Sequence, residues 1–258
     1  MTLTASTWTF SHVGGEFASP ARVIERIYEL GFQPEIWLNW HADPTCYDRP
    51  TWDDWRGRVR PSPGLSFHTR NERTRMLEEI EFLAHLGGRV LVVHPCVLAL
   101  PEYRGEQPER HPDIPFIRDL AAAAREKGVF LGLENIFSRE FQDRTLEAVE
   151  ICDARGGLGI CIDIGHAELV RDQPGESAVT LIRDFGKALL HLHVHDIVPG
   201  RDHLPLAAGT IDYAAIAAAL RQANFNGTAT LEILSKSPVA DVQAGREYLA
   251  QRFGADLA

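Results

Sequence analysis

Leu158-Gly159-Ile160-Cys161-Ile162-Asp163-Ile164-Gly165-His166 reads as a buried strand that carries a carboxylate to its end and hands the chain to a loop. Leu158, Ile160 and Ile162 are apolar up to Asp163, and Gly165 is expected to let the backbone turn sharply before His166. A carboxylate and an imidazole three residues apart at the mouth of a buried strand are costly unless they are paired or bound. A divalent cation satisfies both, and a capped turn is the simpler account.

Outward from this stretch the chain alternates strands with helices. Trp8–Ser11 is read as the first strand, followed by a helix capped by Ser19-Pro20, with Val23, Ile24, Ile27 and Leu30 on one face. Further strands are read at Glu35–Leu38, Leu65–His68, Arg89–His94, Val129–Glu134, Ala188–Asp196 and Thr228–Ile233. Helices between them open at Asn71, run to about Lys127, span Thr145–Ala154 and Ala178–Phe185, follow the Asp212 cap, and close the chain at Val239–Phe253. Arg89–His94 is apolar on both faces, as a strand covered by helices should be. Eight strand–helix units in 258 residues, with no break in composition, predict a parallel sheet closed into a single-domain (β/α)8 barrel over residues 1–258. An open doubly wound sheet would need a Gly-rich first turn, and none is present.

Composition narrows the function. A net charge of −10 argues against a chain that coats nucleic acid, and no segment has the ~20 apolar residues of a membrane helix. The start lacks the basic flank and apolar run of a secretion signal. Cys46, Cys96, Cys152 and Cys161 form no C-x-x-C pair, so reduced thiols in a cytoplasmic protein are expected.

In such a barrel the site lies at the C-terminal ends of the strands. From the third strand onward each ends in a metal-capable side chain: His68, His94, Glu134, Asp163, His193 and Glu232, with His166 and His203 just beyond. Singly, each could be a hydrogen-bonded strand tip or, for the carboxylates, an arginine partner. Two Glu, one Asp and one His suit Mn²⁺, Mg²⁺, Co²⁺ or Zn²⁺ with open positions. His191, His193 and His195 alternate and face one side, so they cannot all bind one ion. His193 is taken as the ligand, with Asp196 expected to orient it and His195 as the alternate. The segment from Trp40 to Pro63, with Trp52 and Trp55, is read as packing around a short helix; a lid over the site is the other account.

Glu134-Asn135, Asp163-x-x-His166, His193-x-x-Asp196, His203 ahead of Gly209-Thr210-Ile211-Asp212, and Glu232 together resemble the xylose-isomerase-like barrel superfamily. That group includes sugar isomerases, ketose 3-epimerases, inosose-processing enzymes and apurinic endonucleases. The resemblance implies that Glu134, Asp163, His193 and Glu232 hold one divalent metal and that His166 contacts a substrate oxygen. For an isomerase or epimerase of a sugar, sugar phosphate or polyol-derived ketone, the metal stabilises an enediolate while Glu134 and Glu232 exchange the proton. His68, His94, Arg201 and His203 are then expected to bind substrate. The rival it implies is a zinc phosphoester hydrolase with further zinc ions at His68/His94 and at His166/His203. Its third site expects an acid two residues before His203; Arg201 stands there, and Asp202 is displaced by one. A barrel that binds sugar without turning it over is the third reading. The expected partner is a small carbohydrate rather than nucleic acid or membrane, and self-association is left open.

Overall fold

The computed structural model describes residues 1–40, 42–103, 105–148 and 157–254. Eight parallel strands close into a barrel, in the order β1 (Thr2–Ser6), β2 (Gln33–Trp37), β3 (Ser66–His68), β4 (Val90–Val93), β5 (Phe130–Glu134), β6 (Leu158–Asp163), β7 (Leu189–Val194) and, after a two-stranded hairpin of β8 (Asp196–Val198) and β9 (Arg201–Leu204), β10 (Thr228–Leu231), which pairs back to β1. Helices join the strands, and the predicted (β/α)8 architecture holds as a single domain.

The first strand is corrected: it is Thr2–Ser6, and Trp8–Ser11 is a short helix. Thr4 and Ser6 are fully buried inside the barrel, so β1 lacks the apolar alternation by which strands are recognised. A second correction concerns the opening stretch. Asp163 leads into a helix, Ile164–Leu169, whose start it caps by accepting the His166 N–H, rather than into a loop. The helix expected at Thr145–Ala154 begins earlier, at Glu140, and is described as far as Ala148; residues 149–156 lie outside the described residues.

Strand alternation divides the interior in two. Leu91 and Val93 of β4 join the large core between sheet and helices, whereas Val90 and Val92 form a small cluster with Cys161 on the inward face. Further inward positions beneath the mouth are polar (Thr4, Glu35, Ser66, His191 and Thr230), all at most 1% exposed. This barrel interior is a hydrogen-bonded core in place of the usual branched apolar layers.

The tryptophan-rich segment packs. Trp40, Trp52 and Trp55 are buried, Trp52 stacks on Phe82, and the indole N–H groups of Trp52 and Trp55 donate to the Tyr47 and Cys46 carbonyls. Beside it, Glu79 of helix Met76–Leu86 reaches under the β3 end and accepts from Thr69 Oγ1 (2.7 Å) and the Arg70 N–H (3.0 Å). Burial raises the Glu79 carboxyl to about 7 despite these bonds. An acid whose folded pKa is raised loses stability as pH rises from its unfolded value to its folded one. Unfolding free energy should therefore fall by roughly 3 kcal/mol between about pH 4.5 and pH 7 on account of this group, a difference of about 2.5 pKa units. Glu79→Gln, which can still bond Thr69 and Arg70, should flatten that part of a urea-denaturation pH series. An unchanged slope would mean that Glu79 is ionised when folded at low pH.

Candidate metal centre at the barrel mouth

Each strand end contributes through its own register. Asp163 on β6 stands opposite His193 on β7, and His193 stands opposite Thr230 on β10, so one imidazole is flanked by both neighbours. Nδ1 of His193 lies 3.1 Å from Glu232 Oε2, 3.3 Å from Glu134 Oε1 and 3.8 Å from Asp163 Oδ2. Ligand atoms at ~2.1 Å from a shared ion lie roughly 3.0–3.4 Å apart in tetrahedral or octahedral geometry. Glu134, Asp163 and His193 each offer an atom within 4.8 Å of the others, Glu232 meets this group at His193, and all four side chains are buried. They are not scattered onto arginines.

The surroundings hold each carboxylate in place. Asp163 Oδ1 accepts from the His166 N–H (2.7 Å) and faces His195 Nε2 (2.9 Å), which also lies 3.1 Å from Oδ2, the oxygen nearer His193. Asn135 clamps the same residue by its backbone, accepting from Asp163 N (2.8 Å) and donating to Asp163 O (3.0 Å). The Glu134-Asn135 pair thereby ties the ends of β5 and β6 together. Glu134 Oε2 lies 3.0 Å from His94 Nε2 and 3.5 Å from His68 Nε2, yet has no well-directed hydrogen bond. A buried acceptor in that condition has room in its coordination for a cation.

Electrostatics follow from this crowding. Burial pushes the Glu134 and Asp163 carboxyls up, but the imidazoles beside them (His193 and His94 for Glu134, His166 and His195 for Asp163) outweigh it and hold both below the usual carboxylate range. Burial presses the His193 imidazole down, but the negative field of Cys161, Glu232, Glu35 and Glu134 carries it well above its ordinary value. A cluster that draws a proton this strongly also draws a metal ion, and the two compete.

One expectation about orientation is corrected. Asp196 does not orient His193; its Oδ1 accepts the Ile197 and Ile211 N–H groups and shapes the chain around the hairpin. His195, the alternate ligand, pairs with Asp163 and lies with Asp163, His166 and His203 in a second group at metal-ligand spacing. The residue missed at this point is Glu35 on β2, fully buried and 3.2 Å from His193 Nε2.

On the hairpin, Asp202 Oδ1 lies 3.1 Å from His203 Nδ1 and Oδ2 lies 3.8 Å from His166 Nε2. The one-residue displacement that counted against an acidic partner there is absorbed by the hairpin, and the acid arrives among the histidines. His203 has φ +52°, with its N–H bonded to His195 Nδ1 and its carbonyl to Leu234 N. Arg201 is exposed at the hairpin. Trp8 and Phe137, which no sequence motif marked, complete an aromatic arc: Trp8 is 4.9 Å from the His203 ring and Phe137 4.7 Å from that of His166.

Gly165 is small for a reason other than turning. A Cβ there would lie 1.9 Å from Cε1 of His195. Gly165→Ala should displace His195, loosen Asp163 and destabilise the fold by about 1–3 kcal/mol. Wild-type thermal stability in this variant would show that the ring has somewhere else to go.

Strand-end carboxylates and imidazoles gathered at the open face of a closed parallel barrel define the class: a (β/α)8 protein with a prospective metal centre. The model of the xylose isomerase-like TIM barrel family matches residues 60–252, and the chain belongs to that family. Among solved structures it is similar to a D-tagatose 3-epimerase-like protein (24% identity, TM-score 0.68, 97% of this chain and 98% of that one). It is also similar to the IOLI protein with a bound zinc atom (16%, 0.72, 98% and 100%) and to a D-allulose 3-epimerase from Methylomonas sp. in complex with D-allulose (18%, 0.71, 97% and 96%). These likenesses establish the fold. Comparison with curated proteins gave no match. Among the described residues no helix is long and apolar enough to cross a membrane.

Proposed function

We propose that the chain is a divalent-metal-dependent isomerase or epimerase acting on a sugar or polyol-derived ketone. The observation that carries this is the convergence of Glu134, Asp163 and Glu232 on Nδ1 of His193. These four residues would hold the ion, and the neighbouring zinc protein and sugar epimerases of the same fold support that assignment. Bound there, a divalent cation supplies Lewis-acid polarisation of a carbonyl, which acidifies the adjacent C–H.

This chain's own groups do the rest. Glu134 and Glu232 leave the barrel on β5 and just past β10, three strands apart around the ring, and take and return the proton on opposite faces of the carbon. The Nδ1 of His166 faces the Asn135 carbonyl at 3.2 Å, so Nδ1 carries the hydrogen and Nε2 is left toward the mouth to hold a substrate oxygen. His68 and His94 keep Glu134 in place, while His203 and the aromatic arc line the entrance. Metal analysis with solvent-deuterium exchange on a panel of ketoses tests the reading. One bound ion and exchange beside the carbonyl are expected.

A second reading is favoured by one observation, the arrival of Asp202 between His166 and His203. With the His68–His94–Glu134 group it supplies donors for further ions, as a zinc phosphoester hydrolase requires. Two or three zinc ions with cleavage of abasic DNA, and no deuterium exchange, would select it.

A further inference from the structure

We propose that Glu35 is the positioning residue that makes His193 a metal ligand, setting the affinity of the centre from one layer below it. The inference rests on the metal-centre reading above and adds a residue outside the strand-end pattern.

Glu35 lies within β2, opposite Ser6 on one side and Ser66 on the other. Its Oε1 and His193 Nε2 face each other at ion-pair distance, 3.2 Å, and neither buried atom makes a well-directed hydrogen bond to any group. Its Oε2 is held by three groups: His191 Nε2 at 2.8 Å, Ser66 Oγ donating at 3.1 Å and Thr230 Oγ1 donating at 3.3 Å. Thr4 and Thr230 share a hydroxyl bond of 2.6 Å, and His191 Nδ1 bonds Thr228. All of this is sealed from solvent, so the carboxylate cannot swing without breaking several buried bonds at once.

The consequence is a fixed tautomer. A neutral imidazole carries one hydrogen, and the carboxylate at Nε2 claims it. Nδ1 of that neutral ring turns its lone pair to three carboxylate oxygens, where a cation takes the place of the proton the metal-free ring holds. Without the Glu35 charge the hydrogen is free to move to Nδ1, where it faces those carboxylates and blocks the ion. Cys161, His191 and His193 also have metal-ligand spacing. Glu35 already faces Nε2 of both histidines, so the inference assigns that trio to the supporting network and predicts no ion there.

The test is titration of metal-free protein with Co²⁺ alone, by chelator competition and visible absorption. Glu35→Gln should bind Co²⁺ 10–100-fold more weakly than wild type, with unchanged far-UV circular dichroism and an altered ligand-field spectrum. Ser66→Ala, which removes one bond to Glu35 and touches no ligand, should leave affinity unchanged. Equal affinity in Glu35→Gln and wild type overturns the proposal while leaving the metal centre standing. A wild-type protein that binds no Co²⁺ overturns both. A second equivalent with a thiolate charge-transfer band would make the Cys161 trio a site and also overturn it. Should Glu35→Gln not fold, Glu35→Asp decides: its shorter reach predicts weakened Co²⁺ binding, and wild-type affinity overturns the proposal.

Discussion

Glu232→Gln is expected to lower kcat by about 10²–10⁴-fold while the protein still takes up its ion, because the amide keeps an oxygen for the metal but can no longer accept a proton. Glu232 is buried, its N–H bonds the Val194 carbonyl, and its Oε2 lies 3.1 Å from His193 Nδ1 and 4.0 Å from His203 Nε2. Glu134→Gln should cost as much, and the two losses should differ in kind. If each carboxylate serves one face, each variant stops solvent-deuterium exchange into one epimer and spares the other. Exchange lost or kept equally for both epimers in both variants would show that the two residues do not divide the proton transfer.

The second large effect is structural. Asp163→Ala removes the negative partner of His195, the cap of helix Ile164–Leu169 and one side of the metal cluster. Breaking a buried ion pair on one side costs about 3–5 kcal/mol, and a lost cap adds ~1 kcal/mol. The imidazoles of His166 and His195 hold the Asp163 carboxyl below its ordinary range against the opposing effect of burial. Its stabilisation is therefore present above the unfolded carboxylate value, near pH 4, and fades as pH falls through the lower folded value. Urea denaturation in EDTA should show the full deficit at pH 7, narrowing only in strong acid. A deficit that persists unchanged at pH 2 would contradict the charge argument.

The barrel could be read because strand and helix alternate without interruption, and because polar residues recur where apolar strands end. Glu134, Asp163, His193 and Glu232 were visible as acids and an imidazole set in apolar runs. What stayed hidden has identifiable causes. Thr2–Ser6 turns hydroxyls into a polar interior and so has no apolar stripe, while Trp8 and Phe10 gave the neighbouring helix the look of a strand. Glu35 sits inside a strand rather than at its tip, and its role depends on a histidine 158 positions away. Asp202 was discounted on spacing alone, and spacing does not describe a hairpin. Gly165 was credited to backbone freedom when the reason is the ring of His195 across the interface with the hairpin. In each case the missing fact was a three-dimensional neighbour.

The decisive measurement is a crystal structure of the protein soaked with Mn²⁺, read by anomalous scattering. A single strong peak is predicted within ~2.0–2.3 Å of Nδ1 of His193 and of one oxygen each from Glu134, Asp163 and Glu232. No peak there, with those carboxylates turned to other partners, would contradict the account.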